Sequence, residues 1–290
     1  LLNLGAKPHD KIAVFSQNCL QYLITDFGAY GVKLVSIPFY ATASEQQIQY
    51  MINDAQVRFI FVGEQEQYDK AHRIFALCNT LERIIVFDRS VRISTHDPAA
   101  LYFDDFLKHG EGLPRQVEQL YKEASMDDLC NILYTSGTTG DSKGVMLTYG
   151  QYDAALAAND AVVNVGENDR IIQFLPVTHI FERGFSYLGF SEGAHIIINT
   201  DPHEIQQSMR ETHPTCMSSV PRFWEKVYQA VKEKIERSSS IQQKLFRHAL
   251  EVGRRYNVEC KMRCKCPSPW LAMEYKLLDK MILSLVRKQI

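Results

Sequence analysis

The stretch Tyr134-Thr135-Ser136-Gly137-Thr138-Thr139-Gly140-Asp141-Ser142-Lys143-Gly144 gathers groups that hold an anion. Gly137, Gly140 and Gly144 allow turns closed to other residues and let the main chain come close to a ligand. Main-chain N–H groups and the hydroxyls of Thr135, Ser136, Thr138 and Thr139 can donate to phosphate oxygens, and Lys143 adds a mobile positive charge. The bland alternative is a flexible Gly/Ser/Thr linker. The apolar strand that leads in and the lysine that closes the stretch weigh against it. A Walker A loop (Gly-x-x-x-x-Gly-Lys-Ser/Thr) would need glycine at position 142, where Ser142 stands, so the P-loop NTPase class is excluded.

Such a loop needs a rigid frame, and the flanking sequence supplies one. Lys11-Ile12-Ala13-Val14-Phe15-Ser16, Leu34-Val35-Ser36-Ile37-Pro38, Val57 to Val62 and Arg83 to Asp88 read as strands without polar alternation. Helical stretches separate them: one around Tyr22 to Tyr30, one opened by the capping box Ser44-Glu45-Gln46-Gln47, and one over 64–79. This βαβα rhythm predicts an α/β fold, a mainly parallel sheet covered by helices on both faces. Residues 89–125 read as connection, with a short helix near Tyr102 to Lys108. A buried strand from Leu129 to Tyr134 then delivers the loop, at the place where α/β sheets bind ligands. A helix is expected after the loop, at 150–162. Strand Arg170 to Leu175, a helix near 180–190, strand His195 to Asn199 and strand Thr215 to Val220 follow. Pro221 opens a helix on which Phe223, Val227, Val231 and Ile235 recur every fourth residue, and the chain beyond Ser238-Ser239-Ser240 reads as helical except for the Cys-Pro patch at 264–269.

The loop closely resembles the signature of the adenylate-forming superfamily, Tyr-Thr-Ser-Gly-Thr-Thr-Gly-x-Pro-Lys-Gly-Val. Ser142 replaces the usual proline, a change that removes no phosphate ligand. Lys11 to Asn18, Val35 to Ser44, Leu175-Pro176-Val177-Thr178-His179-Ile180-Phe181-Glu182-Arg183 and Val220 to Lys226 are similar to the long-chain acyl-CoA synthetase branch. The resemblance covers most of residues 1–230. It implies a two-subdomain αβα N-terminal domain, here truncated and ending in a helical segment. Residues 1–125 would be a first βα series, 126–237 the loop and a second series, and 238–290 the helical part, without the mobile C-terminal domain.

The implied chemistry joins a carboxylate to ATP with Mg2+, expels pyrophosphate, and passes the acyl group to coenzyme A. The substrate implied is a long-chain fatty acid; another carboxylic acid, or a non-catalytic nucleotide- or acyl-binding module, is the alternative. By match to the motif, Thr135, Ser136, Gly137, Thr138, Thr139, Gly140 and Lys143 are the candidate ATP-phosphate ligands, with Thr138 and Lys143 the catalytic candidates. His179 and Phe181 are candidates to border the acyl and adenylate site; position alone favours a capping or core role for such a histidine, and the surrounding Pro-x-x-His-x-Phe-Glu-Arg match reverses that. Phe185, Tyr187, Phe190 and Trp224 are weaker acyl-channel candidates, since aromatics at this spacing more often form core. The family's adenine-, ribose- and metal-binding segments and its adenylation lysine do not occur in these residues, so the chain is expected to be inactive alone.

The rest of the sequence sets bounds. The seven cysteines are odd in number and mostly scattered, which fits thiols in a reducing, cytoplasmic setting. Cys260, Cys264 and Cys266, with His248 upstream, match no common zinc spacing, and no metal site is assigned. Net charge is −2, but residues 226–290 hold fifteen Lys/Arg against six Asp/Glu while the remainder holds seventeen against twenty-eight. That asymmetry suggests an anionic partner for the C-terminal part, with a well-solvated helical face as the equal alternative, and no nucleic acid is expected. The segment Trp270 to Ile290 mixes apolar and basic residues as a helix in peripheral contact with a membrane does, with packing on its own domain as the alternative.

Overall fold

Apolar residues on both sides of each strand require cover on both sides of the sheet, and the chain provides it. In the computed structural model, which describes residues 1–110, 112–135 and 142–287, the elements run in this order. They are β1 (Lys11–Phe15), α1 (Leu20–Tyr30), β2 (Val35–Phe39), α2 (Glu45–Ala55), β3 (Val57–Val62), α3 (Gln65–Ile74), β4 (Arg83–Val86), β5 (Ala100–Tyr102), α4 (Phe103–Lys108) and α5 (Pro114–Lys122). After these come β6 (Leu129–Thr135), β7 (Lys143–Thr148), α6 (Tyr149–Asp160), β8 (Arg170–Gln173), α7 (Ile180–Ser191), β9 (His195–Ile198) and α8 (Ile205–Thr212). The last four helices are α9 (Pro221–Glu236), α10 (Ser240–Arg254), α11 (Pro269–Leu278) and α12 (Ser284–Arg287).

Contacts divide the chain into two compact units, Leu1–Ser218 and Ser219–Ile290. The first holds a sheet of order β5-β4-β3-β1-β2-β6-β7, parallel except for the β6–β7 pair, and a two-stranded parallel sheet of β8 and β9. Along β1 the side chains alternate between two cores. Ala13 and Phe15 pack with Ile48 and Ile52 of α2 and Ala71 of α3, while Ile12 and Val14 pack with Tyr22 and Leu23 of α1 and Phe103 and Phe106 of α4. Burial on both faces is why these strands show no polar alternation. Helix α2 starts at the expected capping box, with Ser44 accepting from the Gln47 amide and the Gln47 side chain from the Ser44 amide.

Three local readings change. The loop is followed by a strand, β7, which turns back antiparallel on β6; the helix begins only at Tyr149, where Thr148 and Gln151 form a capping box. Val145, Met146 and Leu147 form the return strand, which closes a hairpin. The connection over 89–125 contains a strand, β5, and a further helix, α5. Residues 215–220 form one isolated bridge, Cys216 to Ile171, in place of a strand.

The second unit is helical, as its composition indicates. Phe223, Val227, Val231 and Ile235 are the half-buried line of α9. Ala249 and Val252 of α10 pack with Leu271 and Leu278 of α11, and the Tyr256 and Tyr275 rings stack at 4.1 Å. Among the described residues no helix is long and apolar enough to cross a membrane.

Candidate functional site

The β6–β7 hairpin fixes both ends of the glycine-rich loop. Thr135 pairs with Lys143 and Tyr134 with Gly144, so the chain leaves and re-enters the sheet at facing positions. Glycine is required at 144 by close packing: a Cβ there would stand 2.7 Å from Ile132 Cγ2 and 3.3 Å from the Tyr134 ring. Tyr134 anchors the entry, its hydroxyl donating to Asp54 of α2. Thr135 and Lys143 are exposed at this end of the hairpin. The candidates Ser136, Gly137, Thr138, Thr139 and Gly140 lie outside the described residues.

His179 sits at the carboxyl end of β8, as the N-cap of α7, where its Nδ1 accepts from the Phe181 amide at 3.2 Å. The neutral ring therefore carries its proton on Nε2. His179 and Phe181 are both exposed. Phe190 is also exposed and meets Phe27 edge-on. Phe185 and Tyr187 turn inward: Phe185 packs beside Ile171 and Ala194, and Tyr187 is buried against Arg183. Trp224 is half exposed in the second unit, its ring edge-on to Phe223.

The turn bearing His179 is clamped by a residue whose role no sequence pattern reports. Asn18, just past β1, donates to the Leu175 carbonyl at 2.8 Å and accepts from the Val177 amide at 3.0 Å. From the other side Arg183 Nε donates to the Val177 carbonyl at 3.0 Å. Arg183 is fully buried and ion-paired with the equally buried Asp26 of α1 at 2.7 Å. It also donates to the hydroxyls of Tyr187 at 2.7 Å, Tyr30 at 3.0 Å and Tyr22 at 3.3 Å. Ser36 of β2 donates to the other Asp26 oxygen at 2.5 Å. Burial opposes the Arg183 charge, but Asp26 and the surrounding phenols keep it protonated. Burial likewise raises the phenols of Tyr30 and Tyr187 well above their ordinary range.

Glu182, beside Arg183, is buried, and among the described residues no cation forms an ion pair with it. Its Oε2 accepts from Ser218, while Oε1 has no hydrogen-bond partner among the described residues. Burial pushes its carboxyl up to about 7 from an ordinary 4.5, against the lowering pull of the Ser218 hydroxyl, the Leu175 amide and the Ser186 hydroxyl. A carboxyl raised by folding favours the fold fully below the unfolded value and loses that contribution as pH climbs through the folded one. Wild type should therefore lose about 3 kcal/mol between roughly pH 4.5 and 7 relative to Glu182→Gln, at ~1.4 kcal/mol per unit. Urea unfolding of both proteins from pH 5 to 8 measures this, and parallel pH profiles would refute it.

Among the described residues no group of three or more His, Cys, Asp or Glu side chains is placed to hold a metal ion. Cys264 and Cys266 are exposed, Cys260 is half-buried, and His248 Nε2 pairs with Glu274 at 2.9 Å.

Known proteins resemble both this sequence and this fold. The AMP-binding enzyme family matches residues 1–267. A long-chain-fatty-acid–CoA ligase ACSBG2 of Xenopus laevis is 27% identical over 297 residues, covering 99% of this chain and 39% of that protein. Fatty acyl-CoA synthetase B of Dictyostelium discoideum is 29% identical over 258 residues, covering 87% of this chain and 38% of its own length. The chain thus spans about two fifths of these relatives. In fold, the crystal structure of the anthranilate CoA ligase AuaEII in complex with anthranoyl-AMP superposes with a TM-score of 0.62 at 16% identity, over 74% of this chain and 41% of that one. The glycine-rich hairpin at the end of a covered parallel sheet and the match over residues 1–267 together place the chain in the AMP-binding enzyme family of adenylate-forming ligases.

Proposed function

We propose that these residues carry the triphosphate-gripping loop and one wall of the acyl site of a long-chain fatty acid–CoA ligase. The observation that carries this reading is the pairing of Thr135 with Lys143 across the hairpin, which brings the two ends of the glycine- and hydroxyl-rich stretch together at the carboxyl end of β6. In the first half-reaction a carboxylate oxygen attacks the α-phosphorus of ATP, the bond to the bridging oxygen breaks, and pyrophosphate leaves with that electron pair. Charge grows on the departing oxygens, and donors already aimed there lower the barrier. Loop amides, the hydroxyls of Thr135, Ser136, Thr138 and Thr139, and Lys143 supply those donors. In the second half-reaction the thiolate of coenzyme A attacks the acyl carbon and AMP departs.

His179 and Phe181, exposed at the start of α7, are placed by this reading against the acyl-adenylate. Mg2+ would neutralise phosphate charge when bound.

The experiment is ATP–pyrophosphate exchange by a protein of the relatives' full length containing these residues, with acids from two carbons to eighteen and with aryl acids. Exchange driven best by long-chain acids supports the reading. A preference for an aryl or amino acid would move the protein to another adenylate-forming class, and no exchange with any acid would favour a silent binding module. The 290-residue chain alone is expected to show none.

A further inference from the structure

A buried polar chain inside the first unit reaches both halves of the candidate site. At one end Arg183 holds the turn that carries His179, through the Val177 carbonyl at 3.0 Å. At the other end Asn131 lies on β6, the strand that delivers the loop, and donates to the Ser36 carbonyl at 2.8 Å. One phenol bridges the two side chains directly, beside the route through Asp26 and Ser36: the Tyr30 hydroxyl accepts from Arg183 at 3.0 Å and donates to Asn131 Oδ1 at 2.8 Å.

The geometry points to Tyr30 as a positioning residue, whose hydroxyl sets β6 against the turn bearing His179. A group in this place has to accept from a guanidinium and donate to an amide oxygen at the same time, which a neutral hydroxyl does and a methyl or an ionised group does not. Burial keeps the phenol protonated far above its ordinary range, so the bridge holds at any working pH. Asp26 fixes the guanidinium from α1 at 2.7 Å, so a shift of Tyr30 cannot be absorbed by Arg183 swinging freely. Phenylalanine at 30 preserves the ring contacts with Phe27, Tyr149 and Tyr187 while deleting the bridge.

Two measurements on Tyr30→Phe test this. The first needs no catalysis: in the isotopically labelled 290-residue chain, the amide resonances of Thr135 and His179 should both shift while those of Gln67 and Ala71 in α3 stay in place. If either Thr135 or His179 keeps its wild-type resonance, the coupling does not exist. The second rests on the adenylation reading and uses a protein of the relatives' full length. There kcat for pyrophosphate exchange should fall about tenfold, with KM for ATP and fatty acid within about twofold, because misplaced groups lose rate more than binding. A lower melting temperature with unchanged kcat would show a merely structural hydroxyl and overturn the inference. If the wild-type protein shows no exchange, the adenylation reading fails on its own, and the resonance shifts decide this inference.

Discussion

Replacing Arg183 with methionine should lower the unfolding free energy of the chain by about 3–5 kcal/mol, the usual cost of stranding one partner of a buried ion pair. Asp26 would keep its Ser36 donor but lose the guanidinium, which is its cation at 2.7 Å. The Val177 carbonyl and the hydroxyls of Tyr22, Tyr30 and Tyr187 would lose a donor in the same step. Most of the loss comes from the uncompensated charge, so Asp26→Asn combined with Arg183→Met should recover at least half of it. The pair itself adds little net stability over an apolar replacement, because desolvation offsets its attraction. Its effect is to specify one arrangement of α1, α7 and the turn at 175–179. Both tryptophans, Trp224 and Trp270, belong to the second unit. Unfolding should therefore be followed by tyrosine circular dichroism, and an Arg183→Met protein as stable as wild type would contradict the argument.

The second large effect is catalytic. In a protein of the relatives' length, Thr138→Ala together with Lys143→Ala should reduce pyrophosphate exchange by about 10²–10³-fold, the range found when a preorganised donor to developing negative charge is removed. Binding of the fatty acid should change by less than about twofold, because both side chains are proposed to meet the phosphates and not the acyl group. Lys143 follows directly on the hairpin register with Thr135, so its main chain is fixed even though its ammonium is mobile. Lys143→Arg should recover part of the rate, since charge is kept but the compact ammonium is not. Unchanged exchange in the double variant would remove these residues from the reaction.

Much of the fold was legible because burial writes itself locally. Strands covered on both faces carry unbroken apolar runs, as in Val57 to Val62, and the α9 line at 223, 227, 231 and 235 follows helical spacing. Caps are equally local, and Ser44 and Gln47 stand where the helix begins. The return strand β7 was missed because Lys143 to Thr148 becomes a strand only by pairing with β6, a contact across the loop that periodicity does not report. β5 is three residues long and half-buried, too short for a pattern to form.

For the site, the glycine and hydroxyl loop announced itself by composition and order. The frame around it did not. Asp26 and Arg183 are 157 residues apart, and each alone reads as an ordinary surface charge on an amphipathic helix. Asn18 gives no signal either, since its value lies in reaching Leu175 and Val177 across 157 and 159 residues. The aromatic run on α7 was half informative: Phe181 and Phe190 are exposed and Tyr187 is buried, yet Phe181 and Phe190 lie on opposite sides of the helix, so the spacing alone does not say which face meets a ligand.

The most direct test of the central claim is a crystal structure of a protein of the relatives' length, containing these residues, bound to a non-hydrolysable ATP analogue. The β- and γ-phosphate oxygens are predicted to lie within hydrogen-bond distance of the amides and hydroxyls of residues 135–140, with the Lys143 ammonium beside them. A triphosphate bound elsewhere, with this loop making no phosphate contact, would contradict the account.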